Sequence, residues 1–403
     1  MRIFVLDPGL TGMTGHHFNV AKGFQREAAR RGIDIRFYVN RAAEAAVLSE
    51  LNARPVFQFG PYQVVSGDPL SGPIEDVIGV GLSFAESCKS LNEDGVRADD
   101  LVAVPTATQN EVHGCALWLH SMTKEARPFL AAAFSFENYM RTPDYRDFDM
   151  RIAPTYRFAA KKLAFVMPQD RLVVLGQSAV IASRLTELMC MPVHECPMPH
   201  DYASLAPRAR AETFDDQDRT VVSVVGTSRP DKGFHLLPEI VARCAGRGGA
   251  HEFMIQVAPE SALGLWGDWA DEMRARSDVR LHIGAMDEAA YLDQIVRSDI
   301  VLLPYDPHRF AGQTSGIFAE AVALGRVVVV PSGTWMAQHL QRGAGAGVVF
   351  RDQAGVSIAD ALIEAERNLP DLSARAQARA TAWRDAQCTA RFFDVMLERL
   401  PTA

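Results

Sequence analysis

Positions 2–6 (Arg-Ile-Phe-Val-Leu) form a short apolar run that ends at Asp7-Pro8-Gly9. A run of this length closed by turn residues predicts a buried strand. Gly9, Gly12 and Gly15 dot the loop that follows. Val20, Phe24 and Ala28 then recur four apart, the stripe of a helix that Gly32 stops. Ile33, Ile35, Phe37 and Val39 alternate as a second strand. Strand, glycine loop, helix and strand open a parallel α/β sheet.

Apolar runs at 101–104, 129–134 and 172–175 predict further strands with helical stretches between them. The second half is cleaner, with runs at 221–225, 253–257, 279–283, 300–303, 327–330 and 348–350. These are continuous in Val, Ile and Leu and do not alternate, as suits strands covered on both faces of a doubly wound sheet. Helices are expected at 289–296 and 317–324, and from 356 to 400 throughout. Between the halves, Pro192, Pro197 and Pro199 cluster around Cys196, and polar residues run from 208 to 219. The expected division is an N-terminal Rossmann-like domain over 1–205, a C-terminal one over 206–385, and a closing helix over 386–403. No repeat of 20–50 residues is visible. Two such halves leave a cleft between them, and clefts of this kind commonly hold the site.

Composition narrows the class. Of the 403 residues, 48% are hydrophobic and 22% charged, which excludes a disordered tail, a collagen and a disulfide scaffold. The formal net charge of −8 argues against a nucleic-acid partner. The six cysteines lie at 88, 115, 190, 196, 244 and 388, and none forms a C-x-x-C pair. A structural metal needs four convergent ligands, so none is expected, and scattered thiols fit a reducing compartment. The first residues carry too short an apolar run for a signal peptide, and no stretch reaches the ~20 apolar residues of a spanning helix. Cytoplasm is the expected address.

Two loops carry candidate chemistry. Gly226-Thr-Ser-Arg-Pro-Asp-Lys-Gly233 follows a buried strand and is expected to precede a helix, with Arg229 and Lys232 adding cations. Helix end, glycines and a fixed Arg suit a diphosphate, although a solvated turn would read alike. Gly312-Gln-Thr-Ser-Gly316 follows the run that ends at Pro304-Tyr305. Thr314, Ser315 and Gly316 would make a helix N-terminus with hydroxyls and free N–H donors for an anion. Glu320, one turn in, could accept both hydroxyls of a ribose diol, or could simply face water.

The two loops together resemble the GT-B glycosyltransferases, particularly the large retaining family 4. In that family a strand is followed by Gly-Arg, with Lys-Gly some six residues after the glycine. Lys232-Gly233 stands at that spacing from Gly226, whereas the family's Arg position is Thr227, with Arg229 two residues later. The family's Glu-x7-Glu pair finds its second member in Glu320, followed by Ala321 and Gly325, but its first would fall on Gly312. The glycine loop 9–15, the proline stretch 192–199 and His282-Ile-Gly-Ala-Met286 are also similar to the family. The resemblance implies that the second domain binds a nucleoside diphosphate sugar and the first an acceptor. It further implies that Gly284 and Ala285 hold the base, that Ser315 and Gly316 hold the distal phosphate, and that Glu320 holds the ribose. Lys232 and Arg229 would stabilise charge on the departing phosphate, and no metal or separate cofactor is required. The loop that carries Gly15 would face the donor phosphates and the acceptor.

The acceptor half offers less. His16 and His17 begin the first helix, where they could act as acid, base or hydrogen-bond donor, or cap and pack the helix end. Glu137 follows the run 129–134, where the family often has a polar residue near the reacting centre. Asp147-Phe148-Asp149 is a D-x-D, but it lies in an Arg-rich stretch of the acceptor half rather than after a donor-half strand. Residues 141–162 interleave Arg141, Arg146, Arg151, Arg157, Lys161 and Lys162 with Tyr145, Phe148, Tyr156 and Phe158. Such a stretch can touch anionic lipid at the inner face of a membrane or line the cleft, and overall acidity favours the cleft.

The expected function is sugar transfer from a nucleotide donor to a glycan, lipid-linked saccharide or small acceptor, with retention. Two alternatives stand beside it. One is a non-catalytic GT-B subunit that binds a sugar nucleotide or a partner enzyme, for which the missing first Glu argues. The other is a sugar-nucleotide epimerase of related architecture. Sugar, base, acceptor and oligomeric state are not legible.

Overall fold

The structure is a computed structural model that describes residues 1–68, 70–136, 147, 149–202, 205, 219–246, 251–257 and 269–400. The chain divides into two compact units. One comprises Met1–Asp201, Gly312–Thr314 and Gln387–Ala403; the other comprises Tyr202–Ala311 and Ser315–Ala386.

The first unit runs β1 (Ile3–Asp7), α1 (His16–Arg31), β2 (Ile35–Asn40), α2 (Ala45–Leu51), β3 (Arg54–Phe57), α3 (Gly72–Glu93), β4 (Leu101–Val104) and α4 (Gln109–His120). It continues through β5 (Phe129–Phe134), α5 (Ala153–Val166), β6 (Leu172–Gly176), α6 (Ala179–Met189) and β7 (His194–Glu195). All seven strands are parallel, in the order β3-β2-β1-β4-β5-β6-β7. Because successive strand residues point to opposite faces, Phe4 and Leu6 enter one core and Ile3 and Val5 the other. Both faces are therefore covered, which is why these strands read as continuous apolar runs.

The second unit repeats the plan. It contains β8 (Thr220–Val224), α7 (Leu237–Gly246), β9 (His251–Val257), α8 (Trp269–Arg274), β10 (Val279–Ile283), α9 (Glu288–Arg297), β11 (Ile300–Leu302) and α10 (Gly316–Ala323). β12 (Val327–Pro331), α11 (Trp335–Gln341), β13 (Gly347–Phe350), α12 (Gly355–Arg367) and α13 (Leu369–Ala386) follow. The order is β10-β9-β8-β11-β12-β13, again parallel. The last helix, α14 (Thr389–Leu397), belongs to the first unit. There Phe392 and Phe393 are buried against Phe24 at ring distances of 5.5 and 4.9 Å, and Asp394 accepts from Arg31 at 2.6 Å.

The differences from expectation have local causes. β2 begins at Ile35 rather than Ile33, because Gly32 caps α1 in the left-handed region and Ile33 N–H bonds back to the Ala28 carbonyl at 2.9 Å. β3 and β7 were not expected. Pro55 within β3 is tolerated because that strand lies at the sheet edge, and β7 is only two residues long. The helical tail consists of α12, α13 and α14. No described helix is long and apolar enough to cross a membrane.

Candidate functional site

In each sheet the strand order reverses once, between β1 and β4 and between β8 and β11. The loops leaving those strands diverge at that point and open a crevice at the carboxyl edge, the usual ligand position in doubly wound sheets.

In the second unit the crevice is lined by both loops singled out in the sequence. The loop after β8 makes two short 3-10 turns, Pro230–Lys232 and Phe234–Leu236, before α7 starts at Leu237. The expected helix end is thus displaced beyond Gly233. The Gly226 N–H is also taken, donating to Gln256 Oε1 at 2.8 Å. Gln256 in turn donates to the Gly284 carbonyl at 3.1 Å, so one side chain of β9 fixes the loops after β8 and β10. Gly233, at φ +72°, presses against Pro304 of the β11 loop. Lys232 folds back over Gly226, and its Nζ lies 5.7 Å from the centre of the buried Tyr305 ring. Burial, then the nearby Arg229 charge, pull the Lys232 ammonium down to about 8 against the pull of Asp231. Arg229 donates twice to Asp231, at 2.9 and 2.8 Å, and Asp231 also accepts from Arg309 at 2.9 Å. The charge of Arg229 is therefore largely matched by a carboxylate, whereas Lys232 makes no ion pair among the described residues.

After β11, Ser315 caps α10 by accepting from the Phe318 N–H at 3.3 Å. Gly316 is exposed with nothing within 4 Å of where a Cβ would stand, and the first turn of α10 carries no acid. Glu320, partly exposed one turn on, accepts from the Tyr291 hydroxyl of α9. Burial and the Glu320 charge raise the Tyr291 phenol well above its ordinary range. Gly284 donates to the Val257 carbonyl at 2.9 Å, and the Ala285 carbonyl lies 3.5 Å from the His282 ring. Thr314 stands with the first unit, its hydroxyl 3.4 Å from Gln177 Oε1. The sequence's donor-side residues in the second unit thus gather around one crevice. Gln256, Tyr291 and Tyr305 join them without having been singled out.

The first unit has a crevice of its own. Asp7, at the end of β1, is buried and accepts from the Gly9 N–H at 3.0 Å. Both its oxygens approach His17 Nδ1, at 2.8 and 3.0 Å. The His16 and His17 rings lie 3.9 Å apart, and Gly15 precedes them as the cap of α1 with no neighbour on its Cα. At the end of β4, Thr108 and Glu111 form a capping box, with Glu111 accepting from the Thr108 N–H at 2.8 Å. Burial pushes the Glu111 carboxyl up to about 7 although the Thr108 bonds pull it down. Asp7 and Glu111 complete a cluster of which the sequence offered only the histidines. Glu137 lies outside the described residues, as does Phe148 of the D-x-D. Asp149 is engaged by Arg151 at 2.9 and 2.6 Å. Among the described residues no three His, Cys, Asp or Glu side chains converge as metal ligands.

For His17, burial disfavours the charged ring, but the Asp7 charge and bond outweigh it and raise the imidazole above its ordinary value. Asp7 is held below its own despite burial, first by His17. The pair's stabilisation is therefore present from above the ordinary carboxylate range up to the ordinary imidazole range. It is lost as pH falls through the Asp7 value or rises through the His17 value. In Asp7→Asn the His17 ring should titrate below an ordinary imidazole, because burial is then opposed only by the smaller pull of Glu111. An NMR titration of the ring protons reads this directly, and an unmoved midpoint would contradict the pairing.

No family model matches the chain, and no curated protein matches it. Solved structures do. An Anabaena protein, HepE in complex with UDP, superposes with a TM-score of 0.68 at 13% identity, over 99% of each chain. The sucrose-phosphate synthase of Thermosynechococcus elongatus gives 0.69 at 12%, over 99% of this chain and 98% of that one. A glycosyltransferase from Rickettsia africae gives 0.66 at 12%, over 100% and 99%. The fold is GT-B. At such identities the likeness extends to the architecture, so the GT-B site must be argued from its own residues.

Proposed function

We propose that this GT-B chain transfers a sugar from a nucleoside diphosphate donor, held by the second unit, to an acceptor held by the first. The observation that carries the reading is Lys232. It is a partly buried cation with no ion pair among the described residues, set at the switch point of the second sheet near the start of α10, whose first turn carries no acid. A cation desolvated in this way interacts strongly with a phosphate that gains charge as its bond to the sugar breaks. The N–H groups at the start of α10 suit the distal phosphate, and Glu320 suits the ribose diol. The solved relatives support the same reading: one is described in complex with UDP and another is a sucrose-phosphate synthase. With Lys232 and a helix end meeting the phosphates, we propose transfer that needs no resident metal. Retention of configuration follows from the resemblance to family 4.

The test is a thermal-shift screen against UDP, GDP, ADP, dTDP and their sugars, with Lys232→Ala and Glu320→Ala alongside. A ligand at a hundredfold excess over its dissociation constant adds ~2.7 kcal/mol of stability. One nucleotide should shift the wild-type midpoint, and both variants should lose the shift. Variants that respond like wild type, or a wild type that no nucleotide shifts, would remove the donor reading. Incubation with donor alone, followed by product analysis, separates a transferase from an epimerase. Binding without turnover on any acceptor would identify a non-catalytic subunit.

A further inference from the structure

Tyr291 has no role in the transfer as proposed so far, yet its hydroxyl donates to a carboxylate that has one. It sits in the first turn of α9, the helix that carries the chain from the edge strand β10 back to β11. Asp287 caps that helix through the Ala290 N–H at 2.7 Å, and Gln294, one turn past Tyr291, donates to the Met254 carbonyl at 2.9 Å. Leu292 and Ile295 are buried. The ring is therefore held by a helix pinned at both ends. Glu320 stands on the next helix between the buried Ala319 and Ala321, so its backbone too is fixed. The Tyr291 hydroxyl, donating to one carboxylate oxygen, acts on the plane of the Glu320 carboxylate.

A vicinal diol donates two hydrogen bonds to a carboxylate only when the carboxylate plane faces it. A free carboxylate must give up rotational freedom on binding, whereas one already held by a donor gives up less. Resting on the reading of Glu320 as the ribose acceptor, we infer that Tyr291 is a positioning residue that pre-orients the Glu320 carboxylate and so selects a ribonucleotide over a deoxyribonucleotide. Its raised phenol keeps it a donor across the neutral range.

The experiment is calorimetric titration of the full chain with UDP, GDP and ADP, then with the 2′-deoxy form of whichever binds. The proteins are wild type, Tyr291→Phe, Glu320→Gln and the double variant. Tyr291→Phe keeps the ring and its packing, and melting curves verify that it folds. It should weaken the ribonucleotide roughly five- to tenfold, the size of one hydrogen bond, and the deoxynucleotide by less than about twofold. The double variant should bind no worse than Glu320→Gln alone. Equal losses on both nucleotides would reduce Tyr291 to packing and overturn the inference while the donor site stands, as would no loss on either. A Glu320→Gln protein that discriminates ribose from deoxyribose as well as wild type does, or a wild type that binds none of the three, overturns the Glu320 reading and the inference with it.

Discussion

Replacing Lys232 by alanine should lower kcat/KM for the nucleotide-sugar donor about 10²- to 10³-fold, the range found when one preorganised donor to developing negative charge is lost. The expectation rests on where Lys232 lies rather than on its being basic. Arg229, three residues earlier, already faces the Asp231 carboxylate, so Arg229→Ala should have the smaller effect. Lys232 is held down to about 8 by burial first and then by Arg229. In the free protein its ammonium is therefore charged at pH 7 and lost as pH rises past that value. The dissociation constant for the nucleoside diphosphate should rise between pH 8 and 10, approaching tenfold per pH unit, because only the charged form binds phosphate well. Lys232→Ala should bind weakly with no such rise over the same range. A wild-type profile that stays flat to pH 10 would mean that another cation meets the phosphates.

How much of this could be read from the chain differs between backbone and side chains. Strand positions such as Val102, Val174, Val222 and Val329 lie in apolar runs covered on both faces, and such runs are legible without their tertiary context. β3 did not show, because Arg54 and Pro55 are exposed and an edge strand needs only one buried side. Lys232 and Glu320 were legible as parts of loops that follow strands. Their neighbours were not. Gln256 acts on Gly226 and Gly284, 30 and 28 residues away, and Tyr291 on Glu320, 29 residues away. Bonds across such separations depend on how strands are ordered in the sheet, which local periodicity does not encode. Asp7 could be read only as the residue that closes a strand, since its pairing with His17 depends on how the glycine loop turns back. The engagement of Arg229 by Asp231 is local, only two residues away, and shows that sequence spacing alone does not say which of two cations is neutralised.

Gly233→Ala should destabilise the second unit by on the order of 3 kcal/mol, from two separate sources. At φ +72° an L side chain costs roughly 1–2 kcal/mol before any contact is considered. A Cβ there would also lie 2.0 Å from the Pro304 carbonyl oxygen and 2.8 Å from its carbon, and since these are backbone atoms no rotamer change relieves the overlap. The loops after β8 and β11 would have to separate, a rearrangement comparable to overpacking a core. For a unit of this size the cost corresponds to a fall of about 6–12 °C in its melting midpoint, readable by calorimetry or by urea denaturation. The same separation carries Lys232 away from Tyr305, so phosphate binding should fall even well below the melting point. Gly316→Ala is the control. That glycine begins α10 with open space around it, and alanine should change stability by no more than about 0.5 kcal/mol. If Gly233→Ala melts with the wild type, the two loops are not packed as described, and the crevice that holds Lys232 must be drawn differently.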